Sequence, residues 1–188
     1  MKHKLFREFD MQVRRMMFAM AAAPLLAVGT ASADGMGLNP SFAVMGGGLW
    51  TTDSDLRDDP AYGLEIGADC LLFQPDNGVL RHRLSVTEFD DGPLRMTSTE
   101  LNTHWEFEVA DSVTMGFGPG LGYVNTKLDG DRNGLWAGQF GGSVQYDVDD
   151  TLFVGMEARY QITESDRFAG SREDMDNMRV MAKVGFNF

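Results

Sequence analysis

Cysteine is nearly missing: Cys70 is the single one in 188 residues. That excludes internal disulfides and any multi-thiolate metal or iron–sulfur site. Basic residues are also scarce. Sixteen Lys+Arg against 28 Asp+Glu leave a formal charge of −12, which argues against a nucleic-acid partner, because phosphate binding needs cations in excess. Proline is low at 6 while Gly reaches 22 and Phe 13, with 43% hydrophobic residues, so collagen-like and disordered compositions are excluded. The length suits one domain.

Residues 1–33 are a different material from the rest. Lys2, Lys4, Arg7, Arg14 and Arg15 precede an apolar run from Met16 to Val28, and Ala31-Ser32-Ala33 follows. This is the tripartite pattern of a secretory signal peptide, with cleavage expected after Ala33. The run is too short and contains Pro24, whereas a spanning helix needs ~20 residues. Met11 is an alternative start. The expected division is therefore 1–33 signal peptide and 34–188 mature domain. Without the five basic and two acidic residues of 1–33, the 16 and 28 charged residues fall to 11 and 26, a charge of −15 on 155 residues.

No apolar run after Ala33 approaches a helical span, so a membrane-embedded mature chain has to be a closed barrel. The period agrees. In Tyr62–Leu72, Tyr62, Leu64, Ile66, Ala68, Cys70 and Leu72 share one face and Gly63, Glu65, Gly67 and Asp69 the other, the alternation of a strand. Phe42–Thr51, Leu80–Phe89, Thr97–Val109, Val113–Tyr123, Trp136–Val148, Leu152–Ile162 and Val180–Phe188 complete eight segments of a length that crosses a bilayer at ~45°. Short connections (Pro75–Gly78, Ala110–Ser112, Asp149-Asp150) alternate with longer, mostly charged ones (Asp53–Pro60, Asp90–Arg95, Thr126–Gly134, Glu164–Asp176), as in outer-membrane barrels.

A soluble sandwich or lipocalin-like barrel also alternates, with its apolar side inward, and parity alone does not separate the two. The aromatics favour the membrane. Trp50, Tyr62, Tyr123, Trp136 and Tyr160 fall at the loop ends of their segments, and Trp105, Phe107, Tyr146, Phe186 and Phe188 at the turn ends, two girdles of the kind lipid interfaces require. The last strand alternates up to the terminal Phe188, which looks like the signal that such barrels present to their assembly machinery.

On Gly116–Asn125 (GFGPGLGYVN), Gly134–Gln161 and the ending Phe186-Asn187-Phe188, the chain resembles the small eight-stranded outer-membrane β-barrel family of opacity-protein and OmpA/OmpX-like type. The resemblance implies an all-β, antiparallel up-and-down barrel in the outer membrane of a Gram-negative bacterium, with outer-membrane lipids and lipopolysaccharide as its partners, and a monomer is expected. It implies no shared ligand, cofactor or reaction.

An eight-stranded barrel is just wide enough for side chains to fill it. The inward residues are polar and of both signs, and folding the strands on each other places Asp69 opposite Arg83, Arg83 opposite Asn102 and Arg81 opposite His104. An interior network of Asp69, Arg81, Arg83 and Glu106 is expected, with Glu157–Lys183 as a second pair, since an orphan buried charge costs several kcal/mol. No catalytic residue is expected: a nucleophile needs an adjacent base, and of His82 and His104 the first faces outward and the second lies six residues from Ser98. The lipid-A deacylase family would show a His-x-Ser pair, absent here. Asp129, Asp131 and Asn133 match the opening of a calcium loop, but the twelfth position is Phe140, so an acidic hairpin is the default reading; weak association with cations that bridge lipopolysaccharide is the alternative, and no cofactor is expected. The expected function is a non-enzymatic structural or surface-interaction role through acidic loops; a narrow conduit for small or apolar solutes, and then a lipid-A-modifying enzyme, are the alternatives.

Overall fold

A computed structural model describes residues 37–51, 59–91, 94–128, 131–164, 166–168, 171–173 and 175–188. The signal-peptide reading of 1–33 and most of the Asp53–Pro60 loop lie outside them. Eight strands close into one antiparallel barrel: β1 (Ser41–Thr51), β2 (Asp59–Asp69), β3 (Val79–Asp91), β4 (Leu94–Ala110), β5 (Val113–Leu128), β6 (Asp131–Asp147), β7 (Leu152–Thr163) and, after a small hairpin of β8 (Asp166–Phe168) and β9 (Ser171–Glu173), β10 (Asn177–Asn187). Each barrel strand pairs with its sequence neighbour, and β10 pairs with β1 to close the wall. No helix of the described residues is long and apolar enough to cross a membrane.

The period-two pattern maps directly onto the wall. Val44, Ile66, Leu101, Leu121, Phe140 and Met156 face out and are exposed, while Glu65, Asn102, Ser143 and Lys183 face in and are buried. The five loop-end aromatics are exposed on the outer wall, with Tyr123 against Trp136 at 5.3 Å. At the turn end Trp105, Phe107 and Phe117 form an aromatic cluster with centroids 5.6–6.1 Å apart.

Three expectations are corrected. Asp69 pairs with Arg81 and not Arg83, because the β2–β3 connection occupies residues 70–78 and is longer than Pro75–Gly78. The connections expected at Asp90–Arg95 and Thr126–Gly134 are mostly strand: Asp91 pairs with Leu94 and Leu128 with Asp131, so charged residues continue the ladder past the lipid band. With 17 residues, β4 is about 55 Å long at ~3.3 Å per residue, and at ~45° tilt it rises about 40 Å against an apolar band of ~25 Å. Finally, the interior is not polar throughout. It holds an apolar cluster that includes Leu49, Phe89, Met96, Leu135 and Met175 toward the loop end, with Met45 and Met181 reaching down to the level of Lys183.

Candidate functional site

The site worth building is the barrel interior, where the sequence places its ionised groups. On β4, the inward residues Glu100, Asn102, His104 and Glu106 are all buried. They fit because β5 opposes them with glycine: Glu100 pairs with Gly122, Asn102 with Gly120 and Glu106 with Gly116. A Cβ on Gly120 would stand 1.9 Å from Asn102 Oδ1, and one on Gly116 2.8 Å from Glu106 Cγ. The glycine-rich strand is thus the floor on which the polar row of β4 lies. At the turn end the inward Phe153 ring likewise covers Gly185.

The charges meet in a central belt. Arg83 donates from Nε and Nη2 to Glu106 Oε1 (2.9 and 2.6 Å) and from Nη1 to Glu65 Oε1 (2.9 Å). Lys183 Nζ lies 2.9 Å from Glu65 Oε1 and 3.3 Å from Glu157 Oε2, and Arg159 pairs with Glu157 at 2.7 Å. Arg179 reaches Glu100, and its Nη1 donates to Thr87 Oγ1 at 3.0 Å. Strand order puts β10 and β4 four positions apart in a ring of eight, so Arg179 and Glu100 meet across the full lumen.

The belt's four cations (Arg83, Arg159, Arg179, Lys183) face four carboxylates (Glu65, Glu100, Glu106, Glu157). It is neutral, and the acidic excess of the chain therefore lies elsewhere. Ionised groups in such a place persist only when paired and hydrogen-bonded.

Of the residues singled out from the sequence, Arg83, Glu106, Glu157 and Lys183 lie in this belt. Asp69 and Arg81 form a separate pair at the turn end, 2.6 Å apart, with Asn39 Nδ2 donating to Asp69 at 2.6 Å. There the barrel opens into a mouth of about 850 Å³ whose lining includes Asp69, Arg81, Glu106, Glu108, Asp147 and Asp150. Glu65, Glu100, Arg159 and Arg179 belong to the belt too: Arg159 meets Glu157 two residues away on its own strand, Glu65 meets Arg83 on the next strand and Lys183 on β10, and Arg179 meets Glu100 from a strand remote in sequence.

A second partnership was also missed. His104 Nδ1 lies 3.3 Å from Ser143 Oγ, a serine on β6 rather than Ser98 on its own strand. Both are buried, and His104 Nε2 has no hydrogen-bond partner among the described residues. A base with no orienting carboxylate, sealed from the surface, does not assemble the triad logic of nucleophilic catalysis. His82 faces the outer wall, within 2.9 Å of Thr103 Oγ1.

Asp129 of the candidate calcium loop lies outside the described residues. Asp131 and Asn133 stand in the β5–β6 ladder, paired with Leu128 and Thr126. Backbone held in a ladder is not free to wrap a cation as a twelve-residue loop does. No cluster of three or more metal-ligating side chains occurs among the described residues.

No family model and no curated protein matches the chain in sequence. Solved structures do match its fold. Neisserial surface protein A aligns at a TM-score of 0.57 with 14% identity, over 81% of this chain and 97% of that one. The N-terminal β-barrel domain of Pseudomonas aeruginosa OprF aligns at 0.54 with 19% identity, over 79% and 97%. The outer membrane enzyme PagL aligns at 0.52 with 15% identity, over 79% and 99%. The fold is that of the small eight-stranded outer-membrane β-barrels. Because one of these neighbours is an enzyme, the fold leaves the chemistry open.

Proposed function

We propose that this protein is an integral outer-membrane barrel with a filled, non-conducting body, whose role is carried by the strand extensions and loops at its outer end. The observation behind this reading is the Arg179–Glu100 contact, which spans the lumen beneath the loop-end part of the apolar cluster, Phe89, Met96 and Leu135. A path for water or ions would have to break both. Apolar packing at the loop end and paired charges in the centre close the interior by two different kinds of interaction.

Lipid contacts the exposed aliphatic wall, and the acidic hairpins at the outer end face the lipopolysaccharide surface. Phe188, half exposed, holds the end of the closing strand through its N–H to Pro40 carbonyl at 2.9 Å, where an assembly factor can read the terminal aromatic. The barrel is a monomer in this reading and takes no cofactor.

Reconstitution into planar bilayers tests it. The expected record is flat, with heat-modifiable gel migration verifying that the inserted protein is folded. Reproducible ohmic conductance steps from heat-modifiable protein would establish the conduit instead, and an altered lipid A mass spectrum in cells that express the protein would establish an enzyme.

A further inference from the structure

The three described connections at the turn end differ in character. Asp111-Ser112 and Val148–Thr151 are short, and each carries acidic residues. The β2–β3 connection instead opens with Cys70-Leu71-Leu72-Phe73, and Leu71, Leu72 and Phe73 are 58%, 97% and 63% exposed. Three contiguous large apolar side chains exposed to water are unfavourable.

The segment is also built rather than slack. Gln74 Nε2 donates to the Cys70 carbonyl at 2.7 Å, and Gln74 Oε1 accepts the Leu80 N–H at 2.8 Å. This one side chain closes the turn so that the apolar half (71–73) and the polar half (Pro75, Asp76, Asn77) are separated. Gly78, at φ +83°, completes the turn, where a Cβ would stand 2.2 Å from the Glu106 carbonyl.

The apolar half is continuous with the lipid-facing wall. Cys70 N–H bonds to the Leu80 carbonyl, Leu80 pairs with Trp105, and Trp105 pairs with Phe117. Residues 71–73 therefore extend, by one further turn of chain, the row that contains the turn-end aromatic cluster. Trp105 Nε1 donates to the Asn77 carbonyl at 2.7 Å, which ties the polar half of the turn to that girdle.

We infer that Leu71, Leu72 and Phe73 form an interfacial wedge that inserts into the phospholipid leaflet at the turn end of the barrel. This rests on the membrane reading above. Its occupant is lipid and not a protein partner, because the patch continues through Cys70 and Leu80 into the exposed turn-end aromatic girdle of Trp105 and Phe117, the part of the wall that meets the lipid interface. The amphipathic split at Gln74 suits the boundary between acyl chains and headgroups.

The test uses the barrel reconstituted in vesicles of phosphatidylethanolamine and phosphatidylglycerol. In a Cys70→Ser background, a nitroxide is placed through Leu72→Cys, Phe73→Cys, Ile66→Cys or Asp76→Cys, and its collisions with oxygen and with a water-soluble nickel chelate are compared. Ile66 is on the lipid-facing wall and Asp76 in the polar half of the turn. Leu72 and Phe73 are expected to match Ile66, with nickel access lost. If both match Asp76 while Ile66 remains shielded, the wedge is wrong and the membrane reading stands. If Ile66 is itself open to nickel in heat-modifiable protein, the membrane reading fails, and the wedge with it.

Discussion

Lys183→Met puts the central belt under the most direct strain. The ammonium is fully buried and sits between Glu65 and Glu157, at 2.9 and 3.3 Å. Replacing it by an apolar side chain of similar length leaves three cations facing four carboxylates. Removing one partner of a buried pair costs ~3–5 kcal/mol. Here each carboxylate retains a guanidinium, Glu65 that of Arg83 at 2.9 Å and Glu157 that of Arg159 at 2.7 Å. The expected loss is therefore at the lower end, about 3 kcal/mol, which is roughly a hundredfold in the unfolding equilibrium.

Adding Glu157→Gln to Lys183→Met removes one charge of each sign and restores the balance, so the double variant is expected to recover more than half of the loss, a coupling that adjacent sites permit. Reversible urea unfolding in lipid vesicles, followed by tryptophan fluorescence with gel migration as the check on folding, measures both. A loss below about 1 kcal/mol for the single variant, the scale of an exposed pair, would refute the buried ionic belt, as would a double variant no more stable than the single one.

Three further outcomes follow from the same geometry. Gly118→Ala places a Cβ 1.9 Å from the Thr103 carbonyl oxygen, whereas Gly138→Ala meets nothing within 4 Å; the first is expected to lose ~1–3 kcal/mol or more and the second to stay within ~0.5 kcal/mol in the same unfolding assay, and equal losses would contradict the packing. Asp149 Oδ1 accepts the N–H groups of Leu152 and Thr151 at 2.7 and 2.8 Å, which hold its carboxyl below the usual carboxylate range. A carboxyl depressed in the folded state contributes above its unfolded pKa and stops contributing as pH falls through the folded value, so the stability gap between the parent and Asp149→Ala should close in acid; a gap that persists there refutes the assignment. Excess chelator, with or without prior calcium, is expected to leave the melting temperature within about 2 °C, since a bound ion would stabilise by mass action; a larger drop that Asp131→Asn abolishes would place a cation at the β5–β6 connection.

What was legible in the sequence was whatever depends on parity. Alternation assigns each side chain to the wall or the lumen without knowledge of any partner, so Trp105, Tyr123, Glu65 and Arg83 could be placed from position alone. Register between neighbours is less direct, since it depends on turn length. Arg83 and Asn102 are paired in the structure as the sequence suggested, whereas the longer connection at 70–78 moved Asp69 from Arg83 to Arg81. A two-residue slip keeps the faces and changes every partner. Loop lengths were misread for a related reason. Charge signals exposure to water, and the strands here continue into water as paired hairpins.

The interior carried the least legible information, and the reason is geometric. Arg179 and Glu100 are separated by 79 residues and sit on opposite walls; what joins them is the closure of the ring and its stagger, which no local pattern encodes. The same holds for the four methionines of the apolar cluster. Met96 and Met175 lie outside the segments whose alternation is legible, Met175 within the Glu164–Asp176 connection, so no parity marked them as lumen-facing. The glycines of β5 offer the one local clue. A strand that gives up its inward side chains at four successive positions, Gly116, Gly118, Gly120 and Gly122, can do so without leaving a void only if a neighbouring row fills the space. The opposing β4 row, Glu100, Asn102, His104 and Glu106, is large and polar at every one of those inward positions. Complementary volume between adjacent strands is therefore the signal by which a sequence can mark the floor of such a belt, even where the cross-lumen partners above it cannot be read.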